Sequence, residues 1–352
     1  TPPPPRTSIN DLSALVLKNH DFAAACRIFE DFLQTETPVY QGLHLFFYAL
    51  ALNQLGRFEE ALSAHRRAIK LDPALAEPHG QPCAVPFSYD ESESPCIGCG
   101  CPDGEIVFVA RLTARNYAAI NPIRVWKKCP ECGLVYVSNL PGPHALSEYY
   151  RCFYSKLPGA QNPANDEGSQ IPKYIKQSQP RVQVITQALG GSPGSILDIG
   201  AGKGTFLRVA QECGWRVTGL DSTDNNIARA KELNGVALTK ADFFEFSPAE
   251  LFDAAVMFQV IEHFTNPWQA LEKAASLVRP GGVLVVATPF SDSDYVRAKH
   301  PIEDFWWLEP AHLCYLDTTC LINRGKLCGL EKLHIFSQLE DSGSLDVYFR
   351  KL

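Results

Sequence analysis

The chain has 352 residues, 45% of them hydrophobic, and a formal net charge of −7 at pH 7. This length favours two or three domains, each with an apolar core of its own. Because no long basic run offsets the negative charge, we expect no nucleic-acid partner. No apolar run has the length of a secretion signal or a membrane span, so we expect a cytoplasmic protein without a membrane partner.

The first region, residues 1–80, is predicted to be all-α, because residues 11–73 have helical periodicity and no strand-like alternation. Six residues stand where a tetratricopeptide repeat has its packing, turn and closing positions: Ala49, Gly56, Phe58, Ala61, Ala68 and Pro73. Residues 19–37 form an imperfect earlier copy. The region therefore resembles a tetratricopeptide pair, which implies a protein partner bound through residues 11–73. A helical hairpin that only braces the chain is the alternative.

The second region, residues 81–145, contains two C-x-x-C-G knuckles on either side of predicted strands within residues 105–128. Cys96 and Cys99 form the first knuckle, and Cys129 and Cys132 form the second. Two such pairs supply four thiolates for a tetrahedral structural zinc ion, so we predict a small β-rich zinc ribbon. Disulfides are the alternative, although they are rare without a secretion signal. Cys101 could replace Cys99 as a ligand.

Residues 146–180 are assigned to a linker ahead of the last region. Tyr149, Tyr150 and Tyr154 stand near its start. The stretch at 156–172 is rich in proline, glycine, asparagine and glutamine, which predicts a mobile loop or lid. An ordinary linker is the alternative.

The third region, residues 181–352, alternates predicted strands and helices, which indicates a doubly wound α/β fold with a parallel sheet. Strands are predicted at 196–199, 215–221, 236–239, 252–258 and 283–287, helices at 225–233 and 267–278, and a turn at 279–282. A further helix begins after a glycine-rich turn at the end of the first of these strands. The whole chain is thus predicted to be an α/β domain preceded by an all-α region and a small zinc ribbon.

Polar residues and glycines follow successive strands of this region. Three glycines alternate in the first strand-to-helix turn: Gly200, Gly202 and Gly204. Such a turn offers backbone N–H groups and a helix N-terminus to a ligand, although it can also be a tight connection without one. Asp221 ends the second strand, where a carboxylate can bind ribose hydroxyls. Asp242 and Phe243 follow the third strand and suit an adenine, through its exocyclic amine and its ring face.

Together with residues 260–263 and 277–282, these motifs resemble class I S-adenosylmethionine-dependent methyltransferases, in the group that includes the ubiquinone-biosynthesis O-methyltransferases. The resemblance implies a Rossmann-like fold and S-adenosylmethionine as the cofactor. It also implies that Asp198 holds the glycine turn near the methionine part, and that Phe258 and Gln259 line the pocket near the sulfonium. The cofactor site would then comprise Asp198, Gly200, Gly202, Gly204, Asp221, Asp242, Phe243, Phe258 and Gln259.

His263 and His312 are the candidate catalytic bases, with Glu262 and Glu309 as possible orienting groups. A histidine that only hydrogen-bonds a loop is the alternative for His263. In ubiquinone-type O-methyltransferases the comparable segment supplies two acids and a histidine that can bind a metal. Gln259 stands here in place of the first acid, which argues against a catalytic metal. The aromatic segment at 305–310 could cover the bound acceptor or pack against the sheet edge.

The stretch at 125–136 also resembles the zinc-binding leader that precedes some bacterial methyltransferases of polysaccharide or deoxysugar modification. We therefore expect methyl transfer to an oxygen or nitrogen of a small-molecule or glycan-precursor acceptor, in a protein that could form homo-oligomers. One alternative is a protein methyltransferase that recruits its substrate through the repeats. Another is a non-catalytic scaffold that binds partners through the helical region.

Overall fold

The computed structural model describes residues 9–35, 41–75, 92–111, 123–142, 145–146, 167–291, 309, 311–336 and 344–352. Expectations about Tyr149, Tyr150, Tyr154, residues 156–166 and most of the aromatic segment at 305–310 fall outside the described residues. Within the described ranges, no helix combines the length and the apolarity needed to cross a bilayer.

The first region is helical, as its periodicity predicts. The described part of this region contains four α-helices: α1 (Ile9–Leu17), α2 (Phe22–Thr35), α3 (Gln41–Gln54) and α4 (Phe58–Leu71). Ala49, Ala61 and Ala68 are buried, so small side chains let α3 and α4 approach closely. Gly56 has a φ of +74° between these helices, a conformation that favours glycine. The helical content is thus established, while the likeness to tetratricopeptide repeats stays a prediction.

The second region is a sheet that includes a strand from far along the chain. Four antiparallel strands pair in the order β1 (Glu105–Arg111), β2 (Ile123–Lys128), β3 (Val135–Val137) and β9 (Cys314–Tyr315). We call β1, β2 and β3 the leader sheet. Helix α4 packs against it, because Leu62 and Ile69 share a buried cluster with Val109 and Val125. The helical region therefore braces the leader sheet.

The third region is the predicted doubly wound fold, with a seven-stranded mixed sheet. Its strands, in spatial order, are β10 (Leu330–Phe336), β11 (Ser344–Lys351), β8 (Val278–Pro289), β7 (Phe252–Phe258), β4 (Ser195–Ile199), β5 (Arg216–Asp221) and β6 (Thr239–Lys240). Neighbouring strands from β8 to β6 are parallel, while β11 is antiparallel to both β8 and β10.

Five helices accompany this sheet in the described residues. They are α5 (Glu167–Ala188), α6 (Thr205–Glu212), α7 (Asp224–Asn234), α8 (Pro267–Ser276) and α9 (Thr318–Leu327). Helix α5 runs across residue 181, where the sequence suggests a boundary, and residues 167–172 belong to this helix and not to a loop. The carboxyl ends of β4, β5 and β7 meet at one edge of the sheet, which positions the site.

Two other predicted elements differ in extent. The third strand of the fold is predicted at 236–239, but β6 contains only Thr239 and Lys240, which pair with Leu220 and Asp221 of β5. The predicted turn at 279–282 is instead part of β8, where the pairing with β7 shifts register between Phe252 and Ala254. A side chain at Gly282 would lie 2.7 Å from the carbonyl oxygen of Asp253, so the strand passes too closely for any residue but glycine.

Candidate active site

The glycine turn joins β4 to α6 in a conformation that requires glycine. Gly200, Gly202 and Gly204 have φ values of +69°, +54° and +71°. A Cβ atom at Gly200 would lie 2.6 Å from Cγ2 of Val260, whereas a Cβ atom at Gly202 would meet nothing within 4 Å. The turn is therefore packed on one side at Gly200 and open at Gly202, as a ligand-binding turn requires.

Asp221 lies at the end of β5, next to the glycine turn. Its Oδ2 accepts a hydrogen bond from the Gly202 backbone N–H at 3.0 Å. Its Oδ1 accepts hydrogen bonds from the backbone N–H of Thr223 at 2.9 Å and from the Thr223 hydroxyl at 2.7 Å. The Asn226 amide donates to the same carboxylate. Asp221 thus joins the turn to the start of α7, and its predicted contact with ribose hydroxyls stays a prediction.

Asp198 lies in β4 and is only 3% exposed. Burial raises its pKa well above the ordinary value, the charge of Asp221 adds to that effect, and the charge of Arg181 opposes it. Arg181 belongs to α5, and its guanidinium binds both carboxylate oxygens of Asp346 at 2.7 Å. It also lies 4.2 Å from the centroid of the Phe258 ring. No sequence motif marked Arg181 as part of this site.

The predicted adenine-side residues lie where β6 ends. Asp242 is exposed and accepts a hydrogen bond from the Phe244 backbone N–H at 2.7 Å. Phe243 is buried, with its ring centroid 5.4 Å from that of Phe244 and 5.6 Å from that of Phe264. The Asp242 carboxylate is thus exposed while the Phe243 ring packs in the core, and the predicted contact of both with an adenine stays a prediction.

Gln259 follows β7 with a φ of +58°, which is uncommon for a residue other than glycine. Its backbone N–H donates to the carbonyl of Ala287 at 2.7 Å, and its side-chain Nε2 donates to the Ser344 hydroxyl at 2.7 Å. Its Oε1 is buried and has no hydrogen-bond partner among the described residues. An unpaired buried acceptor is unfavourable, so this oxygen is a position at which a bound ligand could donate a hydrogen bond.

An acid and two histidines meet beside this edge of the sheet. Glu262 and His263 lie in the 3₁₀ turn Ile261–His263 after β7, and His312 lies just before β9. One donor atom from each of these three side chains lies within 4.8 Å of the others, and the two imidazole centroids are 5.0 Å apart. The structure therefore brings together the two predicted bases and one of the two predicted orienting groups.

The proton on His263 is fixed by its hydrogen bond. Its Nδ1 lies 3.0 Å from the carbonyl oxygen of Ala311, and a carbonyl can only accept, so Nδ1 carries the hydrogen. Burial lowers the pKa of His263 to about 4, against the effect of that bond. At neutral pH the ring is therefore uncharged, with its lone pair on Nε2.

Glu262 is fully buried. Burial raises its pKa to about 7, although the hydrogen bond from the Thr288 hydroxyl to Oε2, at 2.8 Å, acts in the other direction. The donor atoms of Glu262, His263 and His312 are close enough together to bind one divalent cation. Because burial favours the neutral forms of Glu262 and His263, we interpret the cluster as one that holds and moves protons.

Glu309, the other predicted orienting group, acts on the backbone next to His312. Its Oε1 accepts from the Ala311 N–H at 3.4 Å, and its carbonyl accepts from the His312 N–H at 3.1 Å. The His312 ring is hydrogen-bonded instead to Tyr315, with 2.8 Å between Nδ1 and the phenol oxygen. Sequence reasoning missed Tyr315, because only the folded chain brings its hydroxyl to the imidazole.

The four predicted zinc ligands are close together. Sγ of Cys96 lies 3.6 Å from Sγ of Cys132, Sγ of Cys99 lies 3.5 Å from Sγ of Cys129, and all four sulfurs lie within 4.8 Å of one another. Four sulfurs around a tetrahedral zinc ion would be separated by about 3.8 Å, so the donor set fits that ion. The thiol of Cys101 instead donates to the carbonyl of Asp103, so Cys99 completes the cluster.

The cysteines outside the cluster differ from expectation. Cys26, Cys213 and Cys328 have no ligand spacing in the sequence, which predicts buried small side chains at these positions. Cys26 is buried, but Cys213 is exposed and Cys328 is partly exposed. Cys213 follows the last residue of α6, where the helix has left the core, and this accounts for its exposure.

Comparison with known proteins identifies the third region. A family model described as a methyltransferase domain matches residues 174–335. The ubiquinone biosynthesis O-methyltransferase of Rhodopseudomonas palustris (strain TIE-1) is 36% identical over 98 residues, covering 26% of this chain and 39% of that protein. The enzyme of that name from Dechloromonas aromatica (strain RCB) is 30% identical over 162 residues, covering 38% of this chain and 70% of that protein. The chain thus spans about two-fifths of the length of the first curated relatives it matches.

Among solved structures, magnesium protoporphyrin IX methyltransferase from Synechocystis PCC 6803 aligns with a TM-score of 0.46 at 14% identity, over 60% of this chain and all of that one. A TM-score this low supports no argument about function. The family follows instead from the Dechloromonas relative, most of which the chain covers. The chain belongs to the class I S-adenosylmethionine-dependent methyltransferases.

Proposed function

We propose that the chain transfers the methyl group of S-adenosylmethionine to an oxygen or nitrogen of a small-molecule or glycan-precursor acceptor. One observation carries the proposal: the glycine turn, Asp221 and the pair Glu262 and His263 follow the parallel strands β4, β5 and β7, which end at the same sheet edge. His312 joins this pair from a distant part of the chain, and we call the three residues the acid–histidine cluster. A cofactor held by the first two features would lie beside the third. The curated relatives are named O-methyltransferases, which favours an oxygen acceptor.

The cofactor side of the site fits S-adenosylmethionine on three observations. The turn is open at Gly202, the carboxylate of Asp221 is held in place by backbone amides, and Oε1 of Gln259 is buried without a partner among the described residues. Asp198 would support the turn, and Phe258 would line the pocket near the sulfonium. Asp242 and Phe243 would frame the adenine. When bound, the cofactor supplies an electrophilic methyl group.

The chain's own residues would align the acceptor and remove its proton. In-line attack needs the two reactants in close and fixed contact, which supplies most of the acceleration. Neutral His263 accepts the proton that an acceptor O–H or N–H loses, through the lone pair on Nε2. The imidazolium so formed lies beside His312 and Glu262. The proton can pass to His312 or to the ionised fraction of Glu262, whose pKa is about 7.

The four-cysteine cluster would bind a structural zinc ion. Four thiolates leave no open position for a substrate, so such an ion stabilises the fold and takes no part in methyl transfer. Its ligands lie against the third region, because Cys96 and Cys129 share a buried cluster with Trp268 and Cys320. The thiol of Cys320 also donates to the carbonyl of Cys132 at 2.9 Å.

Calorimetric titration with S-adenosylmethionine and S-adenosylhomocysteine tests the proposal. We expect micromolar binding that Asp221→Ala abolishes. Asp224→Ala is the matched control, since this neighbouring carboxylate is exposed and binds only Lys240 among the contacts found. Absence of binding to folded, zinc-loaded protein would favour the non-catalytic scaffold instead.

Turnover is then measured as formation of S-adenosylhomocysteine with two probe acceptors, the catechol 3,4-dihydroxybenzoate and the amine glucosamine. His263→Asn should lower turnover about 100-fold without changing cofactor affinity. Addition of a chelator and of Mg²⁺ checks whether a divalent cation contributes. Methylation of a protein captured by residues 11–73, without turnover of either probe, would support the protein methyltransferase instead.

A further inference from the structure

A short stretch, residues 311–316, lies between the leader sheet and the acid–histidine cluster, and we call it the bridging segment. On the methyltransferase side, its Leu313 N–H donates to the carbonyl of Glu262 at 2.8 Å. The carbonyl of Ala311 accepts the Nδ1 hydrogen of His263 at 3.0 Å. The segment also contributes His312 itself. Every member of the cluster is therefore in contact with, or part of, the bridging segment.

On its other side, the bridging segment contains β9, which pairs with β3 of the leader sheet. Val135 pairs with Tyr315, Tyr136 pairs with Cys314, and the Val137 N–H donates to the carbonyl of Leu313 at 2.9 Å. Sheet hydrogen bonds fix the register of a strand, and a shift by one residue would turn its side chains to the opposite face. The leader sheet thus determines which way the residues of the segment point.

Arg124 makes a second connection between the leader sheet and the bridging segment. It is a fully buried residue of β2, and its Nη2 donates to the backbone carbonyl of His312. The guanidinium also lies 5.6 Å from the ring centroid of Trp126, which in turn stacks on Tyr315 at 4.8 Å. A buried guanidinium is unfavourable unless it is hydrogen-bonded. The hydrogen bond from Arg124 therefore strongly favours one position of the His312 carbonyl.

Tyr315 connects the strand to the imidazole. Its backbone pairs with β3, while its hydroxyl is hydrogen-bonded to Nδ1 of His312 at 2.8 Å. That bond fixes the orientation of the ring and selects one of its two neutral tautomers. The tautomer decides whether Nε2 of His312 donates or accepts on the side of His263.

We propose that the leader sheet positions the two histidines of the active site through the bridging segment, with Arg124 and Tyr315 as positioning residues. The chemical purpose of this arrangement rests on the proposed methyl transfer. The positioning itself does not depend on methyl transfer, because it concerns only the orientation of His263 and His312. The leader is accordingly a structural part of the catalytic site and not a separate appended module.

Nuclear magnetic resonance of the full chain with ¹⁵N-labelled histidine tests the proposal, because long-range ¹H–¹⁵N spectra report the tautomer of each ring. Spectra of His263→Gln and His312→Gln assign the two signals. The test variants are Tyr315→Phe, Arg124→Met and Arg124→Lys. Lys127→Met is the matched control, since it changes the same strand as Arg124 but removes a contact with Glu93.

We expect Tyr315→Phe, a nearly isosteric change, to alter the His312 tautomer signal while the melting temperature stays close to that of the parent protein. Arg124→Met should shift the signals of both His312 and His263, and Arg124→Lys should partly restore them. Lys127→Met should leave both unchanged. Unaltered signals in folded Tyr315→Phe and Arg124→Met would overturn the proposal, as would equal shifts in Lys127→Met.

S-adenosylmethionine affinity is measured on the same samples, and we expect it to change less than about twofold in Tyr315→Phe. If the parent protein bound no cofactor, the proposed methyl transfer would fail while the histidine signals still tested the positioning. If the parent protein bound cofactor but the histidine signals did not change in the Tyr315 and Arg124 variants, only the positioning proposal would fail.

Discussion

We call the sheet edge with the proposed cofactor site the cofactor edge, and it is built differently from the acid–histidine cluster. The cofactor edge consists of the glycine turn, Asp221 and Gln259, which lie at the carboxyl ends of three parallel strands, β4, β5 and β7. The acid–histidine cluster needs the leader sheet, the turn after β7 and the bridging segment together. The comparison predicts that the two can be disturbed separately.

Removal of the metal should separate the two regions most strongly. We expect one equivalent of zinc in protein purified without a chelator, and loss of the ion should unfold the leader, because such ions supply several kcal/mol of folding free energy. Turnover should disappear while S-adenosylmethionine affinity falls much less. Metal analysis, calorimetry and the turnover assay check this. Parallel loss of binding and turnover would contradict the separation, and well below one equivalent would contradict the zinc site.

A change in the ion pair between Arg181 and Asp346 should lower the stability of the methyltransferase region. Asp346 is 1% exposed and binds Arg181 through both oxygens, so Asp346→Ala leaves a nearly buried guanidinium without its carboxylate. We expect a loss of about 3–5 kcal/mol in the free energy of unfolding, measured by urea denaturation. The exposed pair between Arg208 and Glu212 is the control, and Glu212→Ala should cost less than about 1 kcal/mol. Equal losses would show that the buried pair has no special role.

The acid–histidine cluster should have its own pH dependence. The pKa of Glu262 rises from its ordinary value of 4.5 to about 7 on folding, so the folded chain binds more protons between these values. Its contribution to stability is therefore present below pH 4.5 and is lost as the pH rises through 7. Glu262→Gln removes this dependence.

Relative to the parent protein, Glu262→Gln should thus gain stability with rising pH, by on the order of 3 kcal/mol between pH 4 and pH 8. Urea denaturation at several pH values measures the difference, and the titration of His263 cancels because both proteins contain it. A stability difference that is constant over this range would mean that Glu262 does not titrate as its burial requires.

The smallest effects concern the two sides of the glycine turn. Gly200→Ala combines a left-handed φ with a contact of 2.6 Å to Val260, whereas Gly202→Ala has only the left-handed φ. We expect Gly202→Ala to cost about 1 kcal/mol of stability and Gly200→Ala about 1–2 kcal/mol more. Gly202→Ala should nevertheless weaken cofactor binding more than its stability loss explains, because its methyl group enters the open side of the turn. Melting curves and calorimetry distinguish the two.

Much of the cofactor edge was predictable because its signals are local. The strand over residues 252–258 appears with the predicted bounds, and the glycines form the expected turn beside Asp221. The cysteine spacing likewise predicted the four sulfurs that come together. Each of these features depends on residues that are close together in the sequence or on a motif with a fixed spacing. Examples are a strand followed by a glycine turn and the C-x-x-C-G knuckle.

Other features depended on contacts between distant parts of the chain. The sequence offered His263 and His312 as separate candidates and gave no sign of Tyr315 or Arg124 as their neighbours. Arg124 and the carbonyl of His312 are 188 residues apart, and they meet only because β9 pairs with β3 of the leader sheet.

The sequence by itself therefore determined the order of strands and helices, the glycine turn and the cysteine pairs, since hydrophobic periodicity and residue spacing act over short distances. Only the tertiary structure decided that one sheet joins the leader to the methyltransferase region and brings the acid–histidine cluster together. The physical reason is that strand pairing depends on backbone hydrogen bonds, which any residue but proline can make, so sequence alone does not identify a distant partner.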